Sequence, residues 1–340
     1  MTTQPTQTNM NSSSGNDSTA NIIACAQESP NSTAIFALVK GHTINIFMFI
    51  ILSVMALFCV IVYIERSLYF TRKPMNRSLR VAKLVITGCP AVIASGATIA
   101  MWVPRATVFT EFLSSVYFGV CIYLFVELTI VYMGGTSSML SKLENESFRT
   151  STGPCCCCCL CLPTVEFNRI NIRILRQIVM YILCLRLIIL FIGNVFVIDG
   201  LIIPGKLNVA SLGSWVMMMP SLLTLFAVWP VSMLYSHVRD QLAHTHILPK
   251  FIINQAVLII TTLQSSCLNF AVLFGGIKCD EFLPARNKGL ILHQHLMILE
   301  MFMLALVARF YYSKTILETT TEDDACKVIT PSQQMEKMDV

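Results

Sequence analysis

The stretch TINIFMFIILSVMALFCVIVYI, residues Thr43–Ile64, runs for 22 residues without a charge. A helix of that length spans about 33 Å, enough to cross a hydrocarbon core of about 30 Å. Six further apolar segments of similar length follow it, at Leu84–Val103, Thr107–Tyr132, Ile178–Val197, Leu212–Tyr235, Phe251–Phe274 and Leu290–Val307. Lipid offers no partner for a free backbone group, and the ten-residue alternation of barrel strands is missing. The sequence therefore predicts an all-α membrane protein, a seven-transmembrane helix bundle.

Composition indicates that the bundle makes up most of the molecule. Hydrophobic residues are 55% of the 340 and charged residues 13%, which leaves no room for a large soluble domain. We predict three parts: an extracellular tail over residues 1–42, a transmembrane domain over residues 43–312 with a cysteine-rich cytoplasmic loop at 134–176, and a cytoplasmic tail over residues 313–340.

The distribution of basic residues predicts the orientation of the chain. Alternate loops, taken with the C-terminal tail, hold 17 of the 24 Lys and Arg residues, whereas the opposite side holds six. Lys and Arg accumulate in the cytoplasmic loops of membrane proteins. We therefore expect the N-terminus to lie outside and the C-terminus in the cytoplasm.

Both tails are polar. The first 42 residues are rich in Ser, Thr and Asn and contain acceptor tripeptides for N-glycosylation at Asn11, Asn16 and Asn31. We expect this tail to be disordered and glycosylated. The acidic and polar segment after Leu317 is expected to be unfolded in the cytosol.

Six of the fourteen cysteines fall in one predicted cytoplasmic loop, at Cys155, Cys156, Cys157, Cys158, Cys159 and Cys161. A contiguous run is poorly spaced for one tetrahedral zinc site, and the cytosol disfavours disulfides. Cysteines at a membrane surface are accessible to palmitoylation, and several acyl chains would hold the loop against the inner leaflet. S-acylation is the favoured interpretation, with metal binding as the alternative. On the other side, Cys25 and Cys279 could pair, although nothing in the sequence establishes that.

Ionisable residues inside the predicted spans are candidates for a solute path, because each is costly in hydrocarbon. Glu127 and Arg186 lie well inside their spans, as does Glu300, whereas Glu111 is near enough to a helix end to reach the headgroups. Arg186 and Glu300 lie at similar depths. They could form an interhelical ion pair or handle a charged solute, and the two roles are compatible.

The sixth apolar segment carries a band of uncharged polar residues between Gln264 and Asn269. Such residues often serve only as hydrogen-bond partners between membrane helices. The same band would suit the wall of a polar cavity, so Gln264 and Asn269 join the candidates for a substrate path. Pro220 and Pro230 should kink the preceding span.

Several short motifs lie between about Thr43 and Tyr312. They are Trp102-Val103-Pro104-Arg105 with Glu111, Gly134-Gly135, Thr152-Gly153-Pro154 before the cysteines, Asp199-Gly200, His295-Leu296 with Ile298-Leu299-Glu300, and Arg309-Phe310-Tyr311-Tyr312. Together these motifs resemble one known family, the alpha subunit of the organic solute and steroid transporter, and the cysteine run is the most specific element of the resemblance.

The resemblance implies a seven-helix subunit that pairs with a single-span beta subunit at the basolateral plasma membrane, after assembly in the endoplasmic reticulum. It implies facilitated, bidirectional movement, mainly efflux, of bile acids, conjugated steroids and related amphipathic organic anions. Arg186 looks similar to a basic position of the family, and a guanidinium suits sulfonate or sulfate. The resemblance implies membrane lipids as further partners, and neither nucleic acid, cofactor, metal nor catalytic residues.

Two other interpretations of the sequence, a receptor and an enzyme, have less support. A seven-helix receptor shares the topology, but the third span ends Ile130-Val131-Tyr132-Met133 instead of an acidic-Arg-aromatic triplet, and the seventh lacks Asn-Pro-x-x-Tyr. A membrane hydrolase would want clustered His and acidic ligands, whereas His237, His244 and His246 form only a loose group.

Overall fold

A computed structural model of the chain describes residues 43–74, 76–143, 147–148, 165–166, 168–199, 212–239, 241–242, 247–274, 276–277 and 285–327. Within these residues, seven helices are long and apolar enough to cross a membrane, which confirms the predicted seven-span bundle. They are α1 (Thr43–Arg72), α2 (Arg77–Trp102), α3 (Thr107–Tyr132), α5 (Arg169–Ile198), α6 (Leu212–Val238), α7 (Ile247–Leu273) and α8 (Ala285–Lys327).

The remaining elements are short. A 3-10 turn at Pro104–Ala106 joins α2 to α3, and α4 (Gly135–Lys142) follows α3 after a turn in which Gly134 and Gly135 adopt φ of 86° and 89°. Only glycine takes such backbone angles without strain. Between α4 and α5, β1 (Ser147–Phe148) pairs antiparallel with β2 (Val165–Glu166).

The helices extend beyond the predicted spans mainly at one set of ends. α1 continues past Ile64 to Arg72, α2 begins at Arg77 instead of Leu84, and α5 begins at Arg169 instead of Ile178. These extra turns carry the basic residues. Their backbone hydrogen bonds continue through the headgroup region, where long basic side chains reach water.

The last helix extends into the predicted C-terminal tail. α8 runs to Lys327 and so includes residues 313–327 of that tail. Extending a helix that is already formed adds one hydrogen bond per residue and avoids the cost of nucleation. Residues 328–340 lie outside the described part of the chain.

The helix α2 is the centre of the bundle and packs against α1, α3 and α8. Its inward side is built from small residues such as Ala91, Ala94 and Ala97, which let neighbouring backbones approach closely. At Gly88 a Cβ atom would lie 2.5 Å from the hydroxyl of Tyr117. That hydroxyl donates to the carbonyl of Val85 at 2.9 Å, so glycine is required for this contact between α2 and α3.

Contacts between helix ends define two halves of the bundle. At one end, the indole Nε1 of Trp102 donates to Ser53 Oγ at 3.0 Å, and the Phe49 ring packs edge-on against both Trp102 and His295. At the other end, here called the basic half, Arg309 donates to Glu65 at 3.0 Å. The basic half holds Arg72, Arg77, Tyr132, Arg169, Val238 and Ile247, the ends of six membrane helices.

Candidate functional site

A cavity of about 250 Å³ lies in the half of the bundle opposite the basic half, here called the cavity half. Six of the seven membrane helices line it, all except α1. Its hydroxyl-bearing residues are Thr110, Ser114, Ser115, Ser221, Thr224, Thr261, Thr262 and Ser265. Its larger apolar residues include Ile93, Phe118, Ile189, Leu190 and Met297. The wall is therefore amphipathic, suited to a solute with both polar and apolar surface.

Arg186 is the cation of this cavity. It lies on α5 and is 9% exposed, and within the described residues its Nε atom has no hydrogen-bond partner. A buried guanidinium without a paired carboxylate is costly, because desolvation of the charge is not offset. A bound anion would supply the missing partner. Glu111 is the acidic residue among those lining the cavity, and its side chain is exposed.

Two further polar side chains, both on α8, face the same space and were missed by the sequence analysis. His293 and Gln294 line the cavity at 8% and 3% exposure, and in the described part of the chain Nδ1 of His293 and Nε2 of Gln294 have no hydrogen-bond partner. The signal was available, since adjacent polar residues within an apolar span are costly in lipid. Asn269 on α7, one of the substrate-path candidates, also lines the cavity.

The possible ion pair between Arg186 and Glu300 is not formed. Neither of the ion pairs found among the described residues includes Arg186 or Glu300. Instead, the side-chain amide of Gln264 donates to Glu300 Oε1 at 3.2 Å, and this pair joins α7 to α8. Equal depth did not bring the two charges together, because Arg186 faces the cavity and neither Glu300 nor Gln264 lines it.

Glu127 also lies away from the cavity, and its carboxylate forms an ion pair with a basic residue. Arg176 Nε donates to Glu127 Oε1 at 2.6 Å, and Nη2 donates to Oε2, which makes a two-pronged ion pair between α3 and α5. The predicted fourth span begins at Ile178, which would leave Arg176 in the preceding loop. Because α5 begins nine residues earlier, at Arg169, Arg176 belongs to the helix and reaches Glu127.

Several other predicted sites fall outside the described residues. These are the acylation candidates Cys155–Cys159 and Cys161, the glycosylation candidates Asn11, Asn16 and Asn31, and the pair Cys25 and Cys279. They stay predictions. Among the described cysteines, Cys59, Cys89 and Cys121 are buried inside helices, whereas Cys184 and Cys267 are exposed.

Comparison with known proteins places the chain in a family. The profile of the family described as organic solute transporter Ostalpha matches residues 46–317. The organic solute transporter subunit alpha of Danio rerio is 32% identical, and the match covers 88% of this chain and 91% of that protein. The protein of the same name from Leucoraja erinaceus is 31% identical over 80% and 77%, and that from Homo sapiens 25% over 78% of each. No solved structure matches the chain.

The family match distinguishes between the classes left open by topology alone. A seven-helix receptor would share the bundle, but the matched family is one of solute transporters. The match extends from α1 into the part of α8 beyond its membrane span, so it includes every helix that lines the cavity. The chain is therefore a multi-pass membrane transport protein, not an enzyme, and belongs to the organic solute transporter alpha family.

Proposed function

We propose that this chain is the seven-helix subunit of a facilitated transporter for bile acids, conjugated steroids and related amphipathic organic anions. Arg186 is the anion contact in this proposal. The observation that carries it is a buried guanidinium in an amphipathic cavity, with a donor atom that has no partner among the described residues.

The chemistry of the cavity supports this class of solute. The planar fork of an arginine donates hydrogen bonds to the oxygens of a sulfonate or sulfate. Such charge-assisted hydrogen bonds are stronger than those between neutral groups. The amide of Gln294 adds a neutral donor, and Phe118 with Met297 adds apolar wall. An anion on an apolar skeleton can use all three.

The size of the cavity limits how much of the solute it holds. A volume of about 250 Å³ is below the usual range of ~300–1,000 Å³ for pockets that enclose drug-sized ligands. The charged end and part of a steroid skeleton would fit. Full passage then requires the helices around the cavity to separate.

The proposal includes an orientation, a location and partners. The excess of Lys and Arg in the basic half supports a cytoplasmic basic half and an extracellular cavity half, with the N-terminus outside. The names of the relatives call them alpha subunits, which supports a second subunit. We propose a single-span beta subunit, assembly in the endoplasmic reticulum and residence in the basolateral plasma membrane.

The test is uptake and efflux of taurocholate and estrone sulfate in cells expressing the chain with and without a beta-type partner. Arg186→Lys keeps the charge but loses the planar fork. The half-saturating concentration for estrone sulfate should rise about tenfold, equivalent to ~1.4 kcal/mol, while that for uncharged steroids stays nearly constant. Arg309→Lys is the matched control, since Arg309 pairs at the surface with Glu65. Equal effects on sulfated and uncharged solutes would overturn the role of Arg186.

Facilitated diffusion down a gradient predicts two further results in the same assay. Flux should run in both directions and persist when sodium is replaced by choline or when the proton gradient is collapsed. Flux that stops under either change, with surface expression unaltered, would show a coupled mechanism in place of facilitated diffusion.

A further inference from the structure

One side of α7 carries polar residues along the whole depth of the membrane. Lys250, Asn254, Thr261, Ser265 and Asn269 are separated by four or seven residues, so they lie on the same side of the helix. From Lys250 to Asn269 the rise is about 28 Å, close to the thickness of a hydrocarbon core. We call these five residues the α7 stripe.

The two ends of the α7 stripe have different surroundings. Thr261, Ser265 and Asn269 line the cavity. Lys250 and Asn254 are buried beyond it in the basic half, at 1% and 5% exposure. Among the described residues, the Nδ2 donor of Asn254 has no hydrogen-bond partner, which is costly for a buried amide.

A second lysine approaches the same place. Lys250 Nζ lies 5.0 Å from the centre of the Tyr132 ring, and Lys83 Nζ lies 5.5 Å from it. Lys83 is 5% exposed. Cation–π contacts hold both ammonium groups near one ring, so two cationic groups and the Asn254 donor lie at the inner end of the α7 stripe.

An aromatic layer lies beside the inner end of the α7 stripe. The rings of Tyr235 on α6 and Phe251 on α7 stack with centres 4.0 Å apart and planes at 6°. Phe125 on α3 lies 6.2 Å from Phe251 and is 2% exposed. Val257 and Leu258, at 2% and 1% exposure, fill the level between Asn254 and Thr261.

We propose that Lys250 and Asn254 form a second anion subsite on the transport path, separated from the cavity in this structure by Val257 and Leu258. The proposal rests on the proposed function and extends it to the basic half. A solute leaving Arg186 would move along the α7 stripe once the packing at Val257 and Leu258 opens. A lysine suits this step, because a strongly hydrated point charge releases an anion more readily than an arginine fork.

The experiment is site-resolved thiol labelling of Asn254→Cys in full-length chain, in membrane vesicles of both orientations. Two methanethiosulfonate reagents are compared, one ending in a sulfonate and one in a trimethylammonium group. Mass spectrometry of the peptide that carries position 254 separates this thiol from the native cysteines. Buried Cys89 and Cys121 report non-specific opening, and Leu263→Cys, whose residue faces lipid at 51% exposure, is the control position on the same helix.

Two results are expected. Leu258→Ala removes bulk from the level between Thr261 and Asn254, so labelling of Asn254→Cys from the cavity half should accelerate about tenfold, while Leu263→Cys stays unreactive. Lys250→Gln should lower the ratio of anionic to cationic labelling about fivefold, and Lys250→Arg should restore it. An unchanged ratio in Lys250→Gln would overturn the subsite, and a rate unaffected by both Leu258→Ala and Val257→Ala would overturn the barrier.

The labelling readout does not depend on transport. If both labelling results appear but no organic anion moves with any partner, the subsite stands and the proposed function fails. If flux depends on Arg186 as proposed while labelling ignores Lys250, the proposed function stands and the second subsite is wrong.

Discussion

The ion-paired residues of the basic half and two cavity-lining polar residues of the cavity half differ in whether they have a partner in the described part of the chain. In the basic half, Glu127 accepts hydrogen bonds from two donors of Arg176, and the backbone carbonyl of Arg309 accepts a hydrogen bond of 3.0 Å from Arg66. In the cavity half, donor atoms of Arg186 and Gln294 face an open space without a partner among the described residues. A polar residue that already has a protein partner inside the membrane contributes to structure. A polar residue that faces a cavity without such a partner can bind a solute.

The largest expected effect comes from Arg186→Gln. Loss of a charge-assisted contact should reduce flux of sulfated solutes about thirtyfold at low concentration. The thermal unfolding midpoint in detergent should stay the same or rise, because the variant no longer buries a charge that lacks a protein partner. A large fall in that midpoint with flux per folded molecule unchanged would mean that Arg186 is structural, and the contrast between the halves would fail.

Glu127→Gln should show the reverse pattern. It leaves Arg176 without its carboxylate and should lower the free energy of unfolding by about 1–2 kcal/mol, discounted because the two side chains are 35% and 22% exposed. Flux per folded molecule should be unchanged. The double variant Glu127→Gln with Arg176→Gln should recover part of the stability, which thermal unfolding of all three variants would measure. A selective loss of anion flux in Glu127→Gln would place this pair on the path.

A smaller effect is expected from Glu300→Gln. A glutamine can still accept from the amide of Gln264, so the loss should be below about 1 kcal/mol. Because Glu300 and Arg186 do not pair, the effects of Glu300→Gln and Arg186→Gln on stability should add within ~0.5 kcal/mol. Recovery of stability in the double variant would show a coupling that this structure does not contain.

The smallest effect on the cavity should come from replacing Cys155–Cys159 and Cys161 by Ser. Hydroxylamine-sensitive acyl labelling should disappear and surface delivery should fall, while the half-saturating concentration of the molecules that reach the surface stays constant. Zinc that co-purifies stoichiometrically with a parent chain lacking acyl label would favour the metal interpretation instead.

The sequence predicted the number of membrane helices and their ends in the cavity half well, because apolar length is set by the bilayer. The ends in the basic half differ more from the prediction, by nine residues at Arg169 and by twenty at Lys327, because a helix does not stop at its first charge. The sequence also indicates which residues are polar and how deep they lie. It does not give the direction in which each faces, so Glu300 was matched with Arg186 by depth, whereas Gln264 is its partner.

The site was predicted in part for the same reason. Arg186 and Asn269 line the cavity as expected, while Glu127 and Gln264 engage neighbouring helices. His293 was not predicted as a site residue, because acidic and strongly basic residues are the groups most costly in hydrocarbon and so give the clearest signal in the sequence.

The helix that carries Arg186 has few protein neighbours. In the apolar window of α5, 17% of residues are buried inside the protein, against 56% for α2. Tyr181, five residues before Arg186, is 73% exposed. A movement of α5 during transport would therefore displace a helix surface that mostly contacts lipid acyl chains. The thickness and order of the surrounding bilayer then set part of the energy of that shift, and lipids of different chain length should alter the transport rate without touching the solute site.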